Sequence, residues 1–178
     1  MIPELGQLAL VLALLVATVQ GVVPLVGAAR RDATLMAFAR PAAITQFALV
    51  ALAWACLAAS FLASDFSVVN VAQNSFTALP SHYKLAASWG SHEGSLLLWA
   101  LMLGGWSCAV ALRSKNLPAP MLARVLAVMG LVAVGFLLFL LLTSNPFERL
   151  VPAAAEGRDL NPLLQDPGMV LHLSLIHI

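Results

Sequence analysis

The residues best suited to chemistry lie in two polar stretches between hydrophobic segments. In the first, the run 89–95 (WGSHEGS) places His92 directly before Glu93. Ser91 fits the cap of a following helix, and Glu93 would then lie near the positive end of the helix dipole. A helix cap requires no imidazole beside the carboxylate. We therefore expect the His92–Glu93 pair to contact a polar ligand or to position a partner.

The second polar stretch, residues 156–168, is explained by turns and solvent exposure. Its Asn-Pro and Asp-Pro-Gly steps are turn signals, and its paired charges suit a solvent-exposed segment. The aromatic residues around the first stretch leave two interpretations open. Tyr83, Trp89 and Trp99 suit either a binding surface or the aromatic belt at a lipid–water boundary.

Several chemistries are disfavoured by what the sequence lacks. No pair of histidines has i, i+3 or i+4 spacing, so we expect no metal site within the chain. The histidines are His82, His92, His172 and His177. Because there is no Cys-x-x-Cys-His motif, the chain does not carry a c-type haem covalently. The net charge of +1 disfavours a nucleic-acid partner.

The composition indicates which elements must position these residues. Of 178 residues, 61% are hydrophobic and 10% are charged, whereas soluble domains have about 45–50% and about 25%. Four windows without charge, each about as long as one membrane crossing, separate the charged clusters. We predict an all-α polytopic membrane protein with two long polar segments, at 64–93 and 144–172. The predicted transmembrane helices lie near 5–27, 42–63, 94–112 and 124–143.

Two details refine this prediction. The first helix is expected to be a retained anchor, because its apolar run is too long for a signal peptide and its arginines follow it. Cys56 and Cys108 are expected at depths about 15 Å apart, beyond the ~7 Å Cα limit of a disulfide, and therefore as free thiols.

The basic residues predict the orientation. Six of the nine Lys and Arg residues fall on one side, five in the two short connections and Arg124 at the start of the fourth helix, and seven of the eight acidic residues fall on the opposite side. The positive-inside rule therefore places the short connections in the cytoplasm. Both termini and the two long segments would face outward. Long loops of mixed composition are common binding sites, so we expect function on the outer face.

Three stretches carry recognisable motifs. They are the run 81–99 (SHYKLAASWGSHEGSLLLW), the pieces 124–130, 136–139 and 143–147 (TSNPF), and the run 156–168 (EGRDLNPLLQDPG). They resemble the CcmF-type cytochrome c biogenesis family, including its nitrite-reductase-dedicated relative NrfE. The resemblance covers residues 1–172. It implies a bacterial inner-membrane protein that acts as a haem lyase component and joins haem to apocytochrome c. The implied partners are the haem chaperone CcmE, a CcmH-type subunit and apocytochrome c.

The sequence also departs from the family pattern. The family's tryptophan-rich haem-handling motif and its later histidines do not occur in these 178 residues. We therefore expect an N-terminal fragment that is inactive alone, with the haem ligands outside it. The tail 173–178 departs from the family, and we expect it to be non-native.

The combined interpretation assigns a functional patch to the polar stretches. It is expected to shape the surface that receives the haem chaperone or apocytochrome, without ligating iron. The residues are Trp89, Gly90, His92, Glu93, Gly94 and Ser95, followed by Asn161, Asp166 and His172. The alternative interpretation is a transporter or respiratory-complex membrane subunit that acts as a structural scaffold.

Overall fold

A computed structural model describes residues 1–114, 116–160 and Gly168. All regular elements in this part of the chain are helices, and four of them are long and apolar enough to cross a membrane. The predicted all-α fold with four spanning helices is therefore confirmed. The helices are α1 (Ile2–Arg30), α2 (Ala33–Ala37), α3 (Ala39–Leu62), α4 (Val69–Asn74), α5 (Ser81–Gly90), α6 (His92–Arg113) and α7 (Ala119–Leu142).

The long helices extend beyond the uncharged windows because local signals, not charges, decide where they end. α1 begins at Ile2 rather than near residue 5, because Pro3 is favourable in the first turn of a helix. It ends where Arg31 adopts a left-handed conformation with φ of 58°. α7 begins at Ala119 rather than near 124, with Pro120 in its first turn.

Small residues allow the long helices to pack closely. α1 packs against both α3 and α7, and α6 lies against α3 and α7 on the other side of the bundle. Where α1 meets α7, a Cβ atom at Gly130 would lie only 3.0 Å from the Gly21 nitrogen. Close backbone approach of this kind replaces the hydrophobic effect as the driving force for association within lipid.

Polar side chains also lie inside the bundle. The Gln20 amide donates a hydrogen bond of 2.8 Å to the Leu126 carbonyl oxygen, which links α1 to α7. Gln46 and Ser107 are completely buried, and their side-chain polar atoms have no hydrogen-bond partner among the described residues. Cys56 is buried, Cys108 is half-buried and both are free thiols, as predicted.

The two ends of the bundle differ in structure. The connections 31–38 and 114–118 join α1 to α3 and α6 to α7, and the first of them contains the short helix α2. The other end carries a polar layer, which we define as residues 63–91 and 143–160. Its first part was expected as a loop, but it contains α4 and α5.

Candidate functional site

The run 89–95 forms the corner where α5 ends and α6 begins. Ser91 has extended backbone, and its hydroxyl oxygen accepts a hydrogen bond of 3.0 Å from the Gly94 amide. This is the predicted helix cap, and Glu93 lies in the first turn of α6 as expected. The Ser95 hydroxyl donates a hydrogen bond of 3.0 Å to the His92 carbonyl oxygen. These bonds fix the backbone around His92.

Glycine at position 94 is required by the tightness of this corner. A Cβ atom there would overlap the carbonyl oxygen of Ser88 in the last turn of α5. Because no rotamer can relieve a clash between Cβ and backbone, any other residue must push α5 and α6 apart. Gly94 therefore sets the angle at which the polar layer meets the bundle.

His92 lies at the surface, at the end of an apolar groove between α6 and α7. Its imidazole is exposed and meets the ring of Phe139 edge to face, with centroids 6.4 Å apart. The groove has a volume of about 350 Å³ and is lined by Leu96, Gly135, Phe136 and Phe139. A polar group with an apolar body could therefore contact the imidazole and the groove together.

The other predicted residues of the run lie partly below the surface. Trp89, Gly90, Glu93 and Ser95 are half-buried, while Gly94 is buried. Exposed His92 is therefore the side chain of this run most available to a partner. Asn161, Asp166 and His172 lie outside the described residues, so their placement relative to His92 stays a prediction.

Lys84 on α5 holds the first part of the polar layer together, and the sequence analysis missed this role. Its side chain is 8% exposed. Its ammonium group donates hydrogen bonds of 2.6 Å to the Ser64 hydroxyl and 3.1 Å to the Thr77 carbonyl oxygen. A buried lysine with these donors satisfied ties α5 to the chain that follows α3.

Glu156 joins the second polar segment to the first. One carboxylate oxygen accepts a hydrogen bond of 2.9 Å from the Thr77 amide, and the Thr77 hydroxyl also donates to the carboxylate. The Thr77 and Gly157 amides and the Thr77 hydroxyl stabilise the charged form and lower the pKa of Glu156 below its ordinary value, with a smaller contribution from Lys84. The Arg158 amide donates to the Ala72 carbonyl oxygen at 2.8 Å.

Arg149 connects three parts of the chain at this end of the bundle. Its guanidinium bonds to Glu4 at the start of α1 and to the Ser67 hydroxyl, and it lies 3.7 Å from an Asp65 carboxylate oxygen. An isolated antiparallel bridge pairs Arg149 with Val68. Arg149 therefore connects the two parts of the polar layer to the first turn of α1.

Local sequence patterns could not identify these long-range contacts of the polar layer. The partners Thr77 and Glu156 are 79 positions apart, and Arg149 and Glu4 are 145 apart. The available signal was the collection of acidic residues with Lys84, Arg149 and Arg158 on one side of the predicted membrane. That signal places the residues at one end but assigns no pairs.

The described residues offer few groups for metal binding and one exposed imidazole at this corner. In residues 1–114 and 116–160 and at Gly168, no three His, Cys, Asp or Glu side chains gather closely enough to hold a metal ion. His92 presents one exposed imidazole beside an apolar groove. The geometry suits recognition of an amphipathic group or of a partner carrying one.

Comparison with known proteins assigns the family. The family model described as "Cytochrome C assembly protein" matches residues 89–178, which begin at the α5–α6 corner and make up half of the chain. The chain belongs to the cytochrome c assembly protein family. The match starts at Trp89, the first residue of the predicted functional patch.

CcmF relatives in the cytochrome c assembly protein family align with the whole chain. It is 60% identical to the cytochrome c-type biogenesis protein CcmF of Pseudomonas aeruginosa over 179 aligned residues, and 53% identical to CcmF of Escherichia coli strain K12. It is 49% identical, over 76% of its length, to the probable cytochrome c-type biogenesis protein NrfE of Escherichia coli. The predicted resemblance to the CcmF and NrfE type is confirmed.

A solved structure supports the same assignment. The chain resembles "Cytochrome c Heme Lyase CcmF" with a TM-score of 0.85 and 26% identity, over 99% of this chain and 28% of that chain. The chain spans about a quarter of the CcmF relatives it matches, at 27% and 28% of their lengths. This similarity supports involvement of the chain in cytochrome c biogenesis.

Proposed function

We propose that this chain forms the N-terminal part of a haem lyase component, which attaches haem to apocytochrome c in the periplasm. The observation that carries the proposal is the identity of 60% with CcmF across the whole chain, together with the TM-score of 0.85 to a haem lyase of that name. Haem is a substrate in this proposal, and its ligands lie outside the chain.

The polar layer and the adjoining start of α6 form the surface that receives the partners. Haem carried by the chaperone CcmE is an amphipathic group, and the apolar groove beside exposed His92 suits an apolar edge next to a polar contact. The half-buried Trp89 and Glu93 and the tight turn at Gly94 hold this surface in place. A CcmH-type subunit would present apocytochrome c at the same layer, with Asn161, Asp166 and His172 contributing to it.

The layer faces the periplasm in this proposal, and the membrane is the bacterial inner membrane. In the described residues, the end with the short connections carries five arginines, whereas the layer end carries most of the acidic side chains. By the positive-inside rule, the arginine-rich end faces the cytoplasm. The N terminus then lies in the periplasm, where the layer can meet apocytochrome c.

The test is haem attachment in cells whose full-length protein contains this chain. His92→Ala and Glu93→Gln are each expected to lower the yield of covalent haem in a reporter cytochrome c by about tenfold, which corresponds to about 1.4 kcal/mol of lost contact. His82→Ala is the matched control, because His82 is another exposed histidine at this end of the bundle, but its ring packs at a tilt against Tyr83. Membrane levels of each variant are measured by immunoblot.

Three outcomes would contradict the proposal. Haem attachment unchanged in both His92→Ala and Glu93→Gln would remove the assigned surface. Restoration of cytochrome c maturation by residues 1–178 alone would contradict the inactivity of the isolated segment. Loss in all three variants, including His82→Ala, would show that the layer acts as a whole and that His92 has no particular role.

A further inference from the structure

The end of the bundle opposite the polar layer carries a concentrated positive charge, and we call it the basic end. Its described arginines are Arg30, Arg31, Arg40, Arg113 and Arg124. The acidic side chain described at this end is Asp32, and its carboxylate is already engaged as the cap of α2. It accepts hydrogen bonds from the Thr34 amide at 2.8 Å and the Leu35 amide at 3.2 Å. The basic end therefore has a strong unbalanced attraction for anions.

A cavity opens at this end between three helices. It has a volume of about 330 Å³ and lies between α2, the start of α3 and the start of α7. The walls are mostly apolar, and Arg40 is the charged side chain among the described residues that line it. The lining residues are Ala33, Met36, Ala37, Ala39, Arg40, Leu117, Ala119, Leu122 and Ala123.

Arg40 is placed to bind an anion inside this cavity. The side chain is half-buried, and one guanidinium nitrogen donates a hydrogen bond of 3.1 Å to the Ser114 carbonyl oxygen. A guanidinium group has five N–H donors, so this bond positions Arg40 and leaves donors for a second acceptor. Paired N–H groups in a fork match the oxygens of a phosphate.

The surroundings of Arg40 favour a lipid over a small ion. Met36, Leu117 and Leu122 give the cavity apolar walls that a free phosphate would not use. Arg40 is the second residue of α3, so its guanidinium lies where a membrane-spanning helix leaves the hydrocarbon. Phospholipid phosphates lie at this depth, with acyl chains pointing into the membrane. Basic pockets between transmembrane helices are known to bind anionic head groups.

We propose that this cavity is a binding site for an anionic phospholipid. The phosphate accepts hydrogen bonds from Arg40, the acyl chains lie along the apolar walls, and the exposed arginines supply long-range attraction. The site is independent of haem attachment, since it lies at the opposite end of the bundle from the polar layer.

Native mass spectrometry of the 178-residue chain in non-ionic detergent tests the site. The probes are phosphatidylglycerol, which is anionic, phosphatidylethanolamine, which is zwitterionic, and inorganic phosphate. We expect the first to bind in preference to the other two. Arg40→Gln should weaken its binding about fivefold, as expected for loss of one cation near an anionic lipid. Arg113→Gln is the matched control, since Arg113 lies at the same end but outside the set of described lining residues.

A second variant distinguishes binding in the cavity from attraction to the overall charge of the basic end. Ala37→Phe fills the cavity from an exposed lining position and keeps every arginine, so it should weaken phosphatidylglycerol binding as Arg40→Gln does. Helix content by circular dichroism checks folding. If Arg40→Gln does not fold, the effect of Ala37→Phe on phosphatidylglycerol binding tests the proposal.

Three results would overturn the proposal. Equal binding of the two phospholipids would show that the site does not select a negative charge. If Arg113→Gln and Arg40→Gln weakened phosphatidylglycerol binding equally and Ala37→Phe had no effect, binding would depend only on the overall charge of the basic end. Competition by inorganic phosphate at the same concentration would make the ligand a free anion.

Discussion

Gly94 meets the carbonyl oxygen of Ser88 so closely that a Cβ atom at position 94 would overlap it. This contact joins the last turn of α5 to the first turn of α6. Since α5 belongs to the polar layer and α6 to the bundle, one glycine fixes how the two parts meet. His92 lies between Ser88 and Gly94 in sequence, so its position depends on this contact.

Gly94→Ala is predicted to lower the free energy of unfolding by about 1 to 3 kcal/mol, the usual cost of forcing extra atoms into a packed site. Reversible unfolding in detergent, followed by circular dichroism, measures the change. The control is Gly135→Ala on α7, where no described atom lies within 4 Å of the added Cβ. Alanine is a better helix former than glycine, so Gly135→Ala should have no destabilising effect. Equal losses in the two variants would contradict the assigned contact.

Lys84→Met is predicted to loosen the polar layer while leaving the long helices intact. It keeps most of the side-chain volume but removes the donors to Ser64 and Thr77, with an expected loss of about 1.5 to 3 kcal/mol in local stability. Amide hydrogen exchange in residues 76–90 should become faster. Arg158→Met provides the control, because the Arg158 side chain is exposed and its backbone bond to Ala72 is retained. Faster exchange in the control alone would refute the role of Lys84.

The contact between Glu156 and Thr77 is predicted to weaken in acid. The two amides and the Thr77 hydroxyl lower the pKa of Glu156 from its ordinary value of 4.5. A carboxyl group whose pKa is lower in the folded state stabilises that state above the unfolded pKa, and the contribution is lost as the pH falls through the folded pKa. The window therefore lies below about pH 4.5. The protection factor of the Thr77 amide, corrected for intrinsic exchange, measures the loss.

Glu156→Gln supplies the comparison for this pH dependence. Glutamine keeps an acceptor oxygen for the Thr77 amide but does not titrate, so protection at Thr77 should not change through the acid range. A protection factor that falls in acid by the same amount in both proteins would assign the effect to another group.

Close packing, more than hydrogen bonding, is predicted to hold α1 against α7. Gly130→Leu forces side-chain atoms toward the Gly21 nitrogen, 3.0 Å from the Cβ position, and should cost about 1 to 3 kcal/mol or more. Gln20→Leu removes the bond to Leu126 at similar volume and should cost only about 0.6 kcal/mol, the average found within membranes. Unfolding in detergent compares the two variants, and a larger loss in Gln20→Leu would reverse this ranking.

The spanning helices could be predicted from the sequence because a membrane crossing is a local property. Each uncharged window has the length that hydrocarbon requires, and each overlaps one long helix. The cap at Ser91 was also predictable, because capping involves residues three positions apart. Family motifs in the runs 81–99 and 156–168 identified the family for the same reason: they are contiguous.

The structure of the polar layer could not be predicted in the same way. Its hydrogen bonds join residues far apart in sequence, such as Thr77 with Glu156, and pairing of that kind depends on how the helices pack. Short amphipathic helices such as α5 give weak signals beside long apolar ones. Buried Lys84 reads as an ordinary charged loop residue until the packing places Ser64 and Thr77 around it.

The most direct test of the central claim is the side of the membrane on which the polar layer lies. In a chain carrying Cys56→Ala and Cys108→Ala, a single cysteine is placed at exposed Ala78 in the layer or at exposed Asn116 at the basic end. A membrane-impermeant maleimide is added to intact cells with a permeabilised outer membrane. We predict labelling of Ala78→Cys before lysis and of Asn116→Cys only afterwards. Labelling of Asn116→Cys in intact cells, with Ala78→Cys protected, would place the layer in the cytoplasm and contradict its role at the periplasmic face.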